Sequence, residues 1–142
     1  MSLKKILIVD DEPDVVTYLT TVLKSNGYES YSAADIKSAM QLTKEINPDL
    51  ICLDIVMPNE TGISFYIKLQ QDKKFKNIPV ILISGIIESE KFNFRSYVKD
   101  TTIPPPECYM EKPLDINNFI NNVDKLTHKN IKRKNGSDFQ NK

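Results

Sequence analysis

Short apolar runs alternate along the chain with longer segments in which apolar residues recur every three or four positions. The runs are "KILIV" (5 to 9), "LICL" (50 to 53) and "PVILI" (79 to 83). They are rich in β-branched and aliphatic residues and show little polar alternation, which is the pattern of strands buried on both faces of a parallel sheet. Weaker strands are expected at "YESYS" (28 to 32) and "CYME" (108 to 111). Between the runs, Val15, Leu19, Val22 and Leu23 make a helical stripe that begins after Pro13 and stops at Gly27. A second stripe, Ile36, Ala39, Met40, Thr43 and Ile46, follows Asp35 as candidate N-cap and breaks at Asn47-Pro48-Asp49. Ile63, Tyr66 and Ile67 predict a third helix reaching towards Gln70; Ile116, Phe119, Ile120, Val123 and Leu126 predict a last one behind Asp115. Segment 86 to 107 carries only a ragged stripe (Ile87, Phe94, Val98) before Pro104, Pro105 and Pro106 impose an extended connection.

Strand and helix in alternation predict an α/β fold, a doubly wound parallel sheet of five strands whose right-handed crossovers place about five helices on its two faces. Ligands of such sheets bind beyond the carboxyl ends of the strands. At those ends the sequence puts Asp10 and Asp11, then Asp54, Ser84 and Lys112. Two neighbouring carboxylates repel by about 4 kcal/mol at 4 Å and an effective dielectric near 20. The acidic pair therefore implies a cation.

Composition sharpens this picture in three places. With 142 residues and 40% apolar content the chain is long enough for one well-cored domain, residues 1 to 127. Its zero net charge hides an asymmetry: residues 1 to 127 hold 14 bases and 18 acids, whereas 128 to 142 hold five bases and one acid. The expected organisation is an acidic body with a disordered basic tail, which argues against nucleic-acid binding by the body. Cys52 and Cys108 lie in apolar runs without metal-ligand spacing and read as structural thiols of a reducing compartment. The opening apolar run is too short for a signal peptide and no run reaches membrane-spanning length, so a cytoplasmic location is expected.

"ILIVDDEPD", "LDIVMPNETG", "VILISG" and "YMEKPL" resemble the motifs of the response-regulator receiver domain of two-component signalling, from about Lys4 to Thr127. The resemblance implies a flavodoxin-like strand order of 2-1-3-4-5. It also implies that Asp54 accepts a phosphoryl group from a histidine kinase or a histidine phosphotransfer protein. Mg²⁺ would be held by Asp10, Asp11, Asp54 and the Val56 carbonyl, Asp11 directly and Asp10 through water. Lys112 and Ser84 would contact the phosphoryl oxygens, the bond before Pro113 would be cis, and Ser84 with Tyr109 would form the switch. The outer side of the first helix, with Asp14, Thr17 and Tyr18, is the expected kinase-docking face. Such a domain is regulatory, assisting only its own phosphorylation and dephosphorylation.

Rival readings are weaker. A phosphatase with an aspartyl nucleophile would end its first strand in "DxD", and a flavodoxin-like cofactor binder needs a phosphate loop where "DDEPD" would repel phosphate. A receiver-like interaction module that works without phosphorylation is the remaining alternative. The chain also departs from the family pattern: the interval from Ser84 to Lys112 is several residues longer than usual, and Thr101 to Glu107, with three prolines, replaces a small Gly-Ala turn. A private partner surface is expected there, and any homodimer through the fourth-helix and fifth-strand face would be atypical. By the same resemblance, Val56 and Ile86 would stand at the positions that in the family flank the path of the attacking water, and their branched side chains predict slow loss of phosphate. Replacing both with polar residues should speed dephosphorylation, measured as the decay of the phosphorylated species by intact mass.

Overall fold

Lys5–Val9 (β1), Glu29–Ala33 (β2), Leu50–Asp54 (β3), Val80–Ser84 (β4) and Cys108–Glu111 (β5) form one parallel sheet in the order β2-β1-β3-β4-β5. This is the expected doubly wound arrangement. The computed structural model describes residues 3–55, 62–85 and 93–128. Helices α1 (Pro13–Ser25), α2 (Ile36–Ile46), α3 (Gly62–Gln70), α4 (Phe94–Tyr97) and α5 (Ile116–His128) connect and follow the strands. Residues 129–142, most of the expected tail, lie outside the described residues, while His128 closes α5.

The unalternating strands serve two cores at once, because successive side chains point to opposite faces. Leu7, Val9, Ile51, Leu53, Val80 and Leu82 pack with residues of α2, α3 and α4, including Ile36, Ala39, Ile63 and Phe94. Ile6, Ile8, Leu50, Cys52, Ile81 and Ile83 pack with Leu19 and Leu23 of α1 and Phe119 and Val123 of α5. Burial pushes the Cys52 thiol well up, away from its reactive range.

Helix limits follow the expected signals. Pro13 opens α1, and Gly27, at φ 87°, takes the left-handed conformation that ends the connection after it. The Asp35 carboxylate accepts the Ser38 N–H at 2.7 Å, capping α2, and Asn47 closes that helix at φ 53°. At α5 the Asp115 carboxylate accepts the Asn118 N–H at 3.2 Å.

Three local features differ from the sequence pattern. β2 starts one residue late: Tyr28 lies between the turn and the strand and points its ring at α5, donating its hydroxyl to Asp124 with His128 Nε2 at 3.3 Å. Burial and that carboxylate push the Tyr28 hydroxyl up to about 12. In α3, Phe65 and Leu69 are buried beside Ile63 and Tyr66, and Ile67 is only half-buried, since the helix is covered by more than the sheet.

The third feature is the cover itself. α4 is one turn, capped by Asn93, and the chain then runs as an irregular loop to β5. A single side chain organises it: the Arg95 guanidinium donates to the carbonyls of Val98 (3.2 Å), Asp100 (2.8 Å) and Ile103 (2.8 Å) and lies over the Phe94 ring. The Tyr66 hydroxyl donates to the Pro104 carbonyl at 2.6 Å, and Glu107 accepts the Val80 N–H at 2.9 Å. Arg95→Met removes all three carbonyl bonds; at a net of about 1 kcal/mol each, it should lower stability by roughly 2–3 kcal/mol. Chemical denaturation measures the loss, and hydrogen exchange should quicken first at the amides of Val98 and Ile103.

Candidate functional site

Each strand that matters delivers its side chain at the carboxyl edge of the sheet. β1 ends at Val9, so Asp10 is the first residue beyond it, and its N–H still bonds the Ala33 carbonyl of β2 at 3.1 Å. Asp10 then does two things. One oxygen accepts the Glu12 N–H at 2.9 Å, a two-residue turn of the kind Asp favours; the other lies 3.1 Å from the Lys112 ammonium. Asp54 is the last residue of β3 and Ser84 the last of β4, one step past Ile83, which is paired with Asp54. Asp10, Asp54 and Ser84 are all buried.

Lys112 follows β5, its N–H bonding the Ser84 carbonyl at 3.2 Å, and the Lys112-Pro113 peptide bond is cis. Its ammonium stands 3.2 Å from the Asp54 carboxylate, 3.1 Å from Asp10 and 2.5 Å from Glu12. Burial alone would lower its pKa. The hydrogen bonds to Glu12 and Asp10, with the field of Asp54, more than offset that and hold it above the usual lysine value.

Asp10, Glu12 and Asp54 each present an oxygen within 4.8 Å of the others. Hard carboxylate oxygens grouped in this way suit Mg²⁺, which is bound through one or two carboxylates and keeps several waters. The residues fit the ion. Asp11, expected to touch the metal directly, is half-exposed and is not part of the group; Val56, Met57, Pro58 and Ile86 lie outside the described residues. Glu12 is the member that the sequence motif did not single out. The signal was there in the third acid of "DDEP", because a turn closed on Asp10 carries the residue two positions later back over the strand edge.

Gly62 explains the last position of the "LDIVMPNETG" motif. Its N–H bonds the Ile55 carbonyl at 2.7 Å, and a Cβ placed there would lie 2.1 Å from the Asp54 carbonyl oxygen. Only a residue without a side chain lets α3 begin against the backbone of Asp54. Tyr109 sits on β5 opposite Leu82, 36% exposed; burial raises its hydroxyl's pKa and the nearby Arg95 guanidinium draws it down.

The sequence model of the response regulator receiver domain matches residues 6–124. The chain belongs to this family. It is similar to a probable transcriptional regulator, ycf27, of Porphyridium aerugineum, at 30% identity over 131 residues, covering 92% of this chain and 53% of that protein. It is also similar to the DNA-binding dual master transcriptional regulator RpaA of Synechocystis, at 29% identity, covering 84% of this chain and 47% of that protein. The receiver thus spans about half the length of these curated relatives. Among solved structures, a CheY-like receiver domain protein of Methanospirillum hungatei shares the fold with a TM-score of 0.79 at 22% identity, over 93% of this chain and 99% of that one. Among the described residues no helix is long and apolar enough to cross a membrane.

The contact at Gly62 makes a sharp prediction. Gly62→Ala should destabilise the receiver by about 3 kcal/mol or more, because backbone must move to relieve the overlap. Thermal unfolding monitored by circular dichroism reads it.

Proposed function

We propose that this receiver is a phosphoaspartate switch in which Asp54 takes a phosphoryl group from a phosphohistidine of a histidine kinase or phosphotransfer protein. The observation that carries the reading is the Lys112 ammonium 3.2 Å from the buried Asp54 carboxylate, with two further carboxylates beside it. Phosphoryl transfer is chiefly positioning plus charge neutralisation, and this arrangement offers both. A carboxylate oxygen of Asp54 forms the new bond to phosphorus as the bond to the imidazole nitrogen breaks and its electron pair returns to the ring. Lys112 then pairs with a phosphoryl oxygen and the Ser84 hydroxyl donates to another. Mg²⁺, when bound, would be held by Asp10, Asp11, Asp54 and the Val56 carbonyl, and would supply the remaining neutralisation of those oxygens.

The switch is a shift of populations. Ser84 turns towards the phosphoryl group, Tyr109 moves in from the sheet edge, and the surface formed by β5 and the Arg95-held loop changes partners. Moving a two-state equilibrium from 1:99 to 99:1 needs about 5.5 kcal/mol; charge-assisted bonds at roughly 1.5–3 kcal/mol each bring that within reach. The kinase docks on the open side of α1, where Asp14 and Thr17 are exposed and Tyr18 is 54% exposed. The long loop before β5 supplies the private output surface, and a cytoplasmic setting fits the chemistry.

Incubation with acetyl phosphate and Mg²⁺ should add one phosphoryl group by intact mass in the native chain and none in Asp54→Asn. A chain that stays unmodified with every small donor, while its fold is intact, is instead an interaction module working without phosphorylation.

A further inference from the structure

Lys112 faces three carboxylates, and the phosphoaspartate reading employs only two of them. The third, Glu12, also pairs with its ammonium, beside Asp10 at 3.1 Å and Asp54 at 3.2 Å. Glu12 also differs in setting: its side chain is 56% exposed, whereas those of Asp10 and Asp54 are 4% and 5% exposed. The ammonium therefore stands in the gap between the two buried acids and is drawn outwards by the exposed one. A divalent cation taken by Asp10 and Asp54 cannot share that gap with an ammonium lying within 3.2 Å of both, because like charges in a partly desolvated site repel strongly. Metal entry requires Lys112 to step aside without losing a counter-charge, and Glu12 is the acid on its outward side.

We infer that Glu12 is a positioning residue: a holding site for the Lys112 ammonium that lets Asp10 and Asp54 exchange that ammonium for Mg²⁺. This rests on the phosphoaspartate reading for its purpose but not for its test. Glu12 is the N-cap residue of α1, yet its side chain makes no capping bond, so the helix start does not depend on the carboxylate. Its backbone N–H donates to the Asp10 carboxylate at 2.9 Å, which keeps the holding residue beside the one it must clear.

The test is a double-mutant cycle read as Mg²⁺ affinity by isothermal titration calorimetry on the full chain. Glu12→Gln should weaken Mg²⁺ binding about two- to fivefold, the range that an exposed ion pair supports. Lys112→Met should tighten it, since the competing ammonium is gone. The deciding result is the double variant: with Lys112 replaced, Glu12→Gln should no longer change Mg²⁺ affinity. An effect of Glu12→Gln that persists undiminished in the Lys112→Met background would make Glu12 a plain negative charge or a direct ligand, and would overturn the holding role. No effect in the native background, or no Mg²⁺ binding by the native chain, would overturn it equally. Circular dichroism checks that each variant is folded, and Lys112→Gln closes the same cycle should Lys112→Met not fold. Failure of the phosphoaspartate reading is visible separately, as an intact-mass spectrum without phosphate beside a calorimetric cycle that still shows the coupling.

Discussion

Three carboxylates sharing one ammonium group is the interaction on which the upper edge of this molecule depends. Asp10, Glu12 and Asp54 would repel one another strongly if nothing positive stood between them, and two of the three are buried, where repulsion is least screened. Lys112 resolves this by reaching from the far side of the sheet, one hundred residues along the chain from Glu12. The charge cluster thus ties the first connection after β1 to the connection after β5. Such a cluster contributes little net stability, because desolvating the partners costs about as much as their attraction returns. Among the described residues the cluster carries more carboxylates than ammonium groups, a balance that suits a further cation.

That poise has to be held in place by something that does not depend on charge. The two apolar cores do this. Because β1, β3 and β4 feed alternate side chains to opposite faces, their carboxyl ends are clamped from both sides, by Leu7, Val9 and Leu53 on one and by Ile6, Ile8 and Cys52 on the other. Each large aliphatic side chain so buried stabilises the fold by roughly 1.5–3 kcal/mol, far more than any single ion pair above it. Gly62 extends the clamp to α3, whose first residue sits directly on the Asp54 carbonyl. Rigid strands fix where the carboxylates emerge, and charge decides only what sits between them.

This division also explains what could be read in advance. Strands β1, β3 and β4, the Asp35 cap and the stop at Gly27 are written in local patterns that burial and backbone geometry enforce, so the sheet and the emergence points of Asp10, Asp54, Ser84 and Lys112 were legible. Features set by contacts across long separations were not. Glu12 had no assigned role in the motif because its meaning depends on Lys112. Phe65 and Leu69 broke the expected stripe of α3 because they join one core cluster with Phe75, Ile78, Phe94, Val98 and Ile103, and Tyr28 left β2 for a partner near the end of α5. Residue types at motif spacing marked the site; the third carboxylate needed the fold.

The loop before β5 carries the same lesson to the output side. A helix of several turns satisfies its own carbonyls through its amides, so it can slide against a sheet as one body. Here the helix is a single turn, and the Arg95 guanidinium bonds the carbonyls of Val98, Asp100 and Ile103, the Asp100 carbonyl also accepting the Ile103 N–H at 3.1 Å. Tyr109 lies close enough to that guanidinium for the two to influence each other electrostatically. The edge of β5 therefore borders a loop held by a few side-chain bonds, from Arg95, Tyr66 and Glu107, rather than by a ladder of helical bonds. Under the proposed switch, a movement of Tyr109 would reach the Arg95-held loop before any long helix, and the surface to change would be that loop, with its exposed prolines 104 and 105.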